Sequence, residues 1–419
     1  MSKGKILYVI SNPFYYKKNP VGGSISSGAG VIKALAKKGY KVEIVSDDEV
    51  PTVKADQSIK YTAYSNKKIR LIINSLISIL PNSIGLRIEK FFFSRTLKKD
   101  LSNALRKNNY DFVYFRASPF GHIISKIVRN NDKRLIIEVN KPLSMQKFNN
   151  GNEEIIFPAQ GQQVKKNKSE INQYEDATMI SIDSSLRAKW IHDFVDCKFK
   201  SKMFVIHNGV DENLFKPSSK KEVNKNPVIV GMASSFRWYN DLEELLQIAS
   251  KTISRNPEIY FKLFIGDISK RNFVKEMVSD KNLCENIELK FQLNLKDMPK
   301  ELNSCDILIS PFNFKGKWPH ICSIKHLEYL SVAKPVVATN AGEVNFAIKD
   351  NHNGFLISEG DIEDFVNKIV TLSKSKTLRE SLGNQGRKDV INFHTWEHHV
   401  NKLIENLENL NETSKQSKK

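Results

Sequence analysis

The sequence predicts an α/β protein made of two Rossmann-like halves, each a parallel sheet covered by helices. Three observations carry this expectation. The chain has 419 residues, too many for one ordinary core and suited to two domains of roughly 200 residues each. Its opening reads as strand, glycine-containing loop and helix. Its second half holds six short apolar runs, 228–232, 260–266, 287–291, 306–310, 335–339 and 355–357, alternating with helical patterns.

Taken in order, Lys5 to Phe14 is an apolar strand, and a polar loop through Gly22 and Gly23 leads to a helix at about 26–38. Glycines let a backbone approach a ligand closely, although a bare Gly-Gly also makes a simple turn. That helix ends in Lys37-Lys38-Gly39, a basic last turn with a glycine cap, before a strand over 40–46. Residues 66–107 carry two apolar helical stretches flanking Pro81, the second with Arg87, Lys90, Arg95, Lys98 and Lys99 around Phe91, Phe92 and Phe93. This basic amphipathic pattern fits an anionic membrane surface, and equally a core-packed helix with solvated lysines. Strands follow at 111–116 and 134–139, separated by a helix over 121–129. Glu138 and Asn140 stand at the C-terminal end of the second of these, where α/β sheets bind ligands, though polar strand ends also serve as caps. The Gln-, Asn- and Lys-rich run 146–168 reads as a mobile loop, and strands are expected over 177–182 and 203–207.

Residues 220–227 form a charged linker. After the strand at 228–232 the loop 233–240 contains Arg237, whose guanidinium can clamp two phosphate oxygens. Asn240 is the expected cap of a helix with Leu242, Leu245, Leu246, Ala249 and Ile253 on one face. Further on, the loop 313–320 holds Lys315, Lys317, Trp318 and His320, and leads into the stretch SIKHLEYLSVAKPVVATNAGE at 323–343. That stretch reads as helix, tight turn and buried strand. Ser323 is placed to cap the helix, leaving first-turn N–H groups for an anion. Lys325 and Glu328, at i and i+3, suit a diphosphate and the two hydroxyls of a ribose, or form an ordinary surface ion pair.

SIKHLEYLSVAKPVVAT resembles the S-P-L-K-x-x-E-Y-M-A-x-G-K-P-V-V-A-T segment of family 4 glycosyltransferases, which have the GT-B fold: two Rossmann-like domains facing across a cleft, with a C-terminal helix crossing back to the first. Four further segments resemble that family. Ile137 to Leu143 is similar to its L-E-V-N-x-P-L loop, His207 to Pro217 to N-G-V-D…F-x-P, Ala341 to Glu343 to G-G-x-x-E, and Asn351 to Phe355 to D-G-x-N-G-F. On this resemblance residues 1–216 form the acceptor-side domain, 217–394 the nucleotide-sugar domain, and 395–419 the crossover helix and tail. The resemblance implies that Glu328 holds the donor ribose and that Ser323, Ile324 and Lys325 lie against the diphosphate. It places Gly22 and Gly23 opposite the donor phosphates and Arg237 as a cation on them, the second cation coming from Lys325 or Lys317; Arg237, Glu138 and Asn140 are the expected catalytic residues, and His320 stands near the donor sugar. The sequence departs from the pattern at Ala333 for a turn glycine, His320 for a glutamate, Asn140 for a histidine, Asn240 where a lysine precedes a glycine, and Ala341 for a glycine.

The implied activity is retaining transfer of a sugar from a nucleoside-diphosphate sugar to a hydroxyl of a glycan or lipid-linked acceptor, with no cofactor and no metal. Surface polysaccharide or glycolipid synthesis is the expected setting. A nucleotide-sugar epimerase of the same fold, or a non-catalytic basic membrane- or nucleic-acid-binding protein, are the alternatives. No run approaches the roughly 18 apolar residues of a membrane span, so a cytoplasmic protein, peripheral on the inner face of the membrane, is expected. The 65 Lys and Arg against 46 Asp and Glu give a formal charge of +19, a field that attracts polyanions and anionic membranes. The sequence contains no nucleic-acid reading module. Cys197, Cys284, Cys305 and Cys322 lack C-x-x-C spacing and read as reduced thiols in or near cores, without a zinc site.

Overall fold

The computed structural model describes residues 3–10, 23–46, 59–63, 82–149, 152–155, 167–218, 227–234, 236, 241–314 and 322–416. It separates into two compact units. The first comprises Met1–Asn19, Val31–His207 and Val400–Lys419, and the second Pro20–Gly30 and Asn208–His399.

The first unit is built on β1 (Gly4–Val9), β2 (Tyr40–Ser46), β3 (Ile59–Ala63), β4 (Phe112–Arg116) and β5 (Leu135–Val139). A short hairpin of β6 (Gln146–Asn149) and β7 (Asn152–Ile155) follows, then β8 (Met179–Ile182) and β9 (Met203–Val205). Seven of these strands form one parallel sheet in the order β3-β2-β1-β4-β5-β8-β9. All five residues of β5 are buried, as expected for a central parallel strand covered on both faces, which is why it reads as an unbroken apolar run up to Glu138. One helix spans Asn82–Lys107 and turns Phe93, Leu97, Leu101, Ala104 and Leu105 to the core at helical spacing. The stretch 64–81, including Pro81, lies outside the described residues.

The polar run expected as a loop at 146–168 is in part the antiparallel hairpin β6–β7, paired from Gln146 with Ile155 to Asn149 with Asn152. Its strands lack an alternating apolar face, so nothing in the sequence announced them. The helix Lys168–Asp176 then begins behind Asn167, whose side chain accepts from the Glu170 N–H at 3.2 Å.

The second unit holds β10 (Val228–Ser234), β11 (Ile259–Ile265), β12 (Ile287–Phe291), β13 (Ile307–Ser310), β14 (Val336–Thr339) and β15 (Gly354–Ile357). These make one parallel sheet in the order β12-β11-β10-β13-β14-β15, with β10 and β13 central. An apolar cluster lies on each face, one around Leu245, Phe261 and Ile369, the other around Phe264, Leu327 and Val344. The helix Leu242–Arg255 is capped by Asp241, which accepts from the Glu243 and Glu244 N–H groups, and not by Asn240. Two adjacent polar residues both suit a cap; the backbone turn selects the second.

The segment after His207 begins the second unit and is pinned within it. The Arg387 guanidinium donates to the carbonyls of Phe215, Ser331 and Glu212 at 2.9, 3.0 and 3.0 Å and to the Ser331 hydroxyl at 2.8 Å. Gly209 passes so close to the next crossing that a Cβ there would lie 2.5 Å from the Trp396 nitrogen, which explains the glycine of the Asn-Gly-Val-Asp motif. The Asn353 side chain ties its own turn, accepting from Lys349 N–H at 2.7 Å and donating to Ala347 O at 3.1 Å. The terminal helix runs Trp396–Gln416, with Val400, Leu403, Ile404 and Leu407 buried. Two of the cysteines, Cys197 and Cys284, are exposed and not core thiols; Cys305 and Cys322 are buried.

Candidate active site

In the second unit the candidate site gathers at the C-terminal ends of β10, β13 and β14, where the helix Ile324–Ser331 starts. The helix is clipped to β10 through one residue. Ala233 donates its N–H to the Tyr329 hydroxyl at 2.7 Å, and its carbonyl receives the Lys325 ammonium at 3.5 Å. The Lys325 Nζ also stands 4.5 Å from the centre of the Phe312 ring, a cation–π contact. Phe312 is itself held by its N–H, which donates to the Thr339 hydroxyl at 2.9 Å. His326 is fully buried, with Nε2 2.9 Å from the Ser310 hydroxyl, and its Nδ1 has no hydrogen-bond partner among the described residues. It supports the floor of the site.

Ser323 occupies the cap position with extended backbone, but its hydroxyl makes no capping bond. The expected side-chain cap is therefore absent, and the first-turn N–H groups beside Ile324 and Lys325 are not taken up by it.

Lys325 and Glu328 behave unlike a surface pair. Burial pushes Lys325 down to about 7, opposed by the charge of Glu328. Burial likewise pushes Glu328 up to about 7, opposed by Lys325. Among the described residues nothing hydrogen-bonds the Glu328 carboxylate; Lys325 is the one charge acting on it. Two acceptor oxygens beside an ammonium and a helix N-terminus can take a pair of hydroxyls next to an anion.

The flanking loop is anchored by two acidic side chains that sequence reasoning missed. Glu244 accepts from the Asn313 amide at 2.5 Å, and Glu359 accepts from the Phe314 N–H at 2.6 Å. Phe236, two residues past the end of β10, adopts φ 43°, an unusual value for a bulky residue, with its N–H donating to the Ser234 hydroxyl at 2.9 Å. Arg237, Lys317, His320, Asn240 and Gly22 lie outside the described residues; Gly23 is the first residue of the helix Gly23–Lys37.

In the first unit, Glu138 is nearly inaccessible. Its carboxylate accepts from Arg116 at 2.6 Å and from the Tyr114 hydroxyl at 2.9 Å. Burial and the neighbouring Glu138 charge hold Tyr114 protonated. Next to them, Asp183 and Arg187 form a buried ion pair; burial raises Asp183, opposed by Arg187. The i,i+4 spacing of Asp183 and Arg187 was the available signal for that pair. Asn140 follows β5, and its side-chain oxygen is buried with no hydrogen-bond partner among the described residues. Within the first unit the structure thus brings Glu138 and Asn140 to one sheet edge; within the second it joins Ser323, Ile324, Lys325 and Glu328. No group of three or more His, Cys, Asp or Glu suited to a metal ion occurs among the described residues.

A family model for glycosyl transferases group 1 matches residues 215–389. The poly(ribitol-phosphate) alpha-N-acetylglucosaminyltransferase of Staphylococcus aureus is 26% identical over 201 residues, which cover 46% of this chain and 39% of that protein. The UDP-Gal:alpha-D-GlcNAc-diphosphoundecaprenol alpha-1,3-galactosyltransferase of Escherichia coli is 26% identical over 208 residues, 46% of this chain and 50% of that one. The chain therefore spans half or less of the length of these curated relatives. Among solved structures, a glycosyltransferase from Rickettsia africae aligns over 98% of this chain and 99% of its own, with a TM-score of 0.69 and 19% identity. Residues 215–389 thus match the glycosyl transferases group 1 model, and the chain as a whole has the GT-B fold.

Proposed function

We propose that the chain is a retaining, metal-independent glycosyltransferase that moves a sugar from a uridine-diphosphate sugar to a hydroxyl of a glycan or lipid-linked acceptor in surface polysaccharide synthesis. The observation that carries this is Glu328, a half-buried carboxylate without a hydrogen-bond donor among the described residues, one turn along from Lys325. The ribose hydroxyls supply the missing donors, and the diphosphate meets Lys325 and the first-turn N–H groups of the helix Ile324–Ser331. Arg237 and Lys317 add positive charge as the leaving diphosphate gains electrons, and His320, Gly22 and Gly23 serve the donor. The names of the two relatives, one a UDP-galactose enzyme on a diphosphoundecaprenol acceptor, support a uridine donor and a polymer or lipid-linked acceptor. Both glycosyl relatives and the absence of an acid–base carboxylate pair in the described donor site disfavour the epimerase reading.

In this reading Asn140, whose side-chain oxygen has no hydrogen-bond partner among the described residues, stands on the acceptor side. Glu138, with both carboxylate oxygens engaged, sets the electrostatics of the sheet edge and does not act as a general base. Phe91 and Phe92 are 58% and 41% exposed on a helix that also exposes Arg95, Lys98, Lys99, Arg106 and Lys107, which favours peripheral docking on an anionic bilayer at the cytoplasmic face.

The test is ligand-induced thermal stabilisation against UDP and a panel of nucleotide sugars, with wild type beside Glu328→Ala. Saturation at 100 times Kd adds about 2.7 kcal/mol of stability. One donor should stabilise the wild type and not the variant, and the anomeric configuration of the product, read by NMR, should match that of the donor. A panel in which nothing binds, or a variant that responds like wild type, rejects the assignment.

A further inference from the structure

Glu170 is a completely buried carboxylate that no step above uses. It sits on the helix Lys168–Asp176 and accepts the backbone N–H groups of Leu143 and Ser144 at 2.8 and 2.9 Å, one on each oxygen. The Tyr174 hydroxyl donates a further bond at 2.9 Å. The Ser144 side chain also acts on the carboxylate, and its hydroxyl in turn accepts from the Trp190 indole N–H at 3.2 Å. Among the described residues no cation acts on Glu170: burial raises its carboxyl above the usual range, and hydrogen bonds alone oppose that rise.

An unpaired buried carboxylate costs several kcal/mol in desolvation, and an apolar residue of the same volume would cost nothing comparable. What the carboxylate supplies is geometry. Leu143 and Ser144 belong to the 3₁₀ turn Leu143–Met145, only three residues beyond Asn140 and five beyond Glu138. A two-pronged grip on consecutive N–H groups fixes the direction of that turn. It therefore fixes the path of residues 140–142, which leave the C-terminal end of β5.

The geometry points to Glu170 as a positioning residue that anchors the 140–145 loop and thereby aims Asn140 at the acceptor. The assignment of Asn140 rests on the function proposed above; the anchoring does not. Glu170→Gln keeps the shape but puts an amide NH2 against an N–H, so one of the two grips is lost. Tyr174→Phe removes a bond to the same carboxylate without touching the loop, and serves as the comparison.

Amide hydrogen exchange and steady-state kinetics on both variants decide the matter. In Glu170→Gln, exchange at Leu143 and Ser144 should accelerate at least about tenfold, the loss expected for a hydrogen bond to a charged group. Its kcat should fall at least about tenfold with the donor KM within roughly twofold, because the donor residues lie in the other unit. Tyr174→Phe should lower the melting temperature yet leave exchange at Leu143–Ser144 and kcat near wild type. Unchanged exchange in Glu170→Gln, or a kcat loss no greater than that of Tyr174→Phe, overturns the proposal. Should the wild type turn over no nucleotide sugar, the transferase reading fails, and the exchange measurement alone then upholds or rejects the anchoring.

Discussion

The Lys325 and Glu328 pair has opposite pH signatures that can be worked out separately. Glu328 binds its proton up to about 7 in the folded chain, whereas an unfolded glutamate releases it near 4.3. Between those values the folded state holds more protons, so this group makes stability fall as pH rises. Lys325 has lost its proton above about 7 in the folded chain, while an unfolded lysine keeps it to about 10.4. There the unfolded state holds more protons, and stability rises with pH. The pair thus imposes a local minimum of stability near neutrality, the condition expected of charges held ready for a ligand. Replacing both, as Lys325→Met with Glu328→Gln, should stabilise the ligand-free protein most near pH 7. The gain should be about 1–2 kcal/mol, after allowance for solvent reaching these partly exposed side chains. Urea unfolding at pH 5, 7 and 9 checks this; a gain that is flat across the series means that the two groups titrate normally.

At the scale of elements, the turn that ends the helix Ile324–Ser331 carries a measurable strain. Ala333 follows the C-cap Val332 with φ 57°, the left-handed conformation that glycine adopts freely. The carbonyl of Ala333 lies against Gly383, where an added Cβ would be 2.1 Å from it, so the turn has no room to relax toward that helix. Ala333→Gly should therefore stabilise the chain by a few tenths to about 1 kcal/mol, the relief of strain less the extra entropy of an unfolded glycine. Equilibrium unfolding of the two proteins decides; equal or lower stability in the variant removes the strain argument. The position of this turn was legible in the sequence because Lys334-Pro335 and the run Val336-Val337-Ala338 punctuate it. Most strands of the second sheet were legible for a related reason: a parallel strand buried on both faces is a short apolar run, whereas the edge strand β12, Ile-Glu-Leu-Lys-Phe, shows itself by alternation. The hairpin β6–β7 was not, since neither of its strands alternates. Contacts across long sequence separation were equally invisible. Nothing local in the sequence says that Glu170 grips residues 27 and 26 positions earlier, or that Tyr329 meets Ala233 across 96 positions. Glu328 and Lys325 could be named because their segment resembles a family, but spacing alone allowed a surface ion pair, and their burial could not be read from it.

For the molecule as a whole, the formal charge of +19 is a long-range property that no single contact explains. A diffuse positive field draws the chain toward any polyanion, and its effect is screened over about 10 Å at 0.1 M salt. Docking at one face needs a short-range term as well. The helix Asn82–Lys107 offers it: Phe91 and Phe92 stand exposed in edge-to-face contact, 5.6 Å between centroids, on the same helix as five exposed basic side chains. Each basic group near an anionic bilayer contributes about 1 kcal/mol, and even partial burial of two phenylalanines about as much again. The two terms can be separated. Sedimentation with vesicles containing anionic phospholipid should capture the wild type at low salt, and purely zwitterionic vesicles should not. Phe91→Ser with Phe92→Ser leaves the net charge untouched, yet should weaken capture at least about fivefold at moderate salt, where the aromatic term carries a larger share of the binding. If the double variant binds as well as wild type at every salt concentration, the attraction is charge alone and this helix is not the docking face. If neither protein binds anionic vesicles at low salt, the positive field serves a different polyanion, and acidic glycan acceptors become the next ligands to measure.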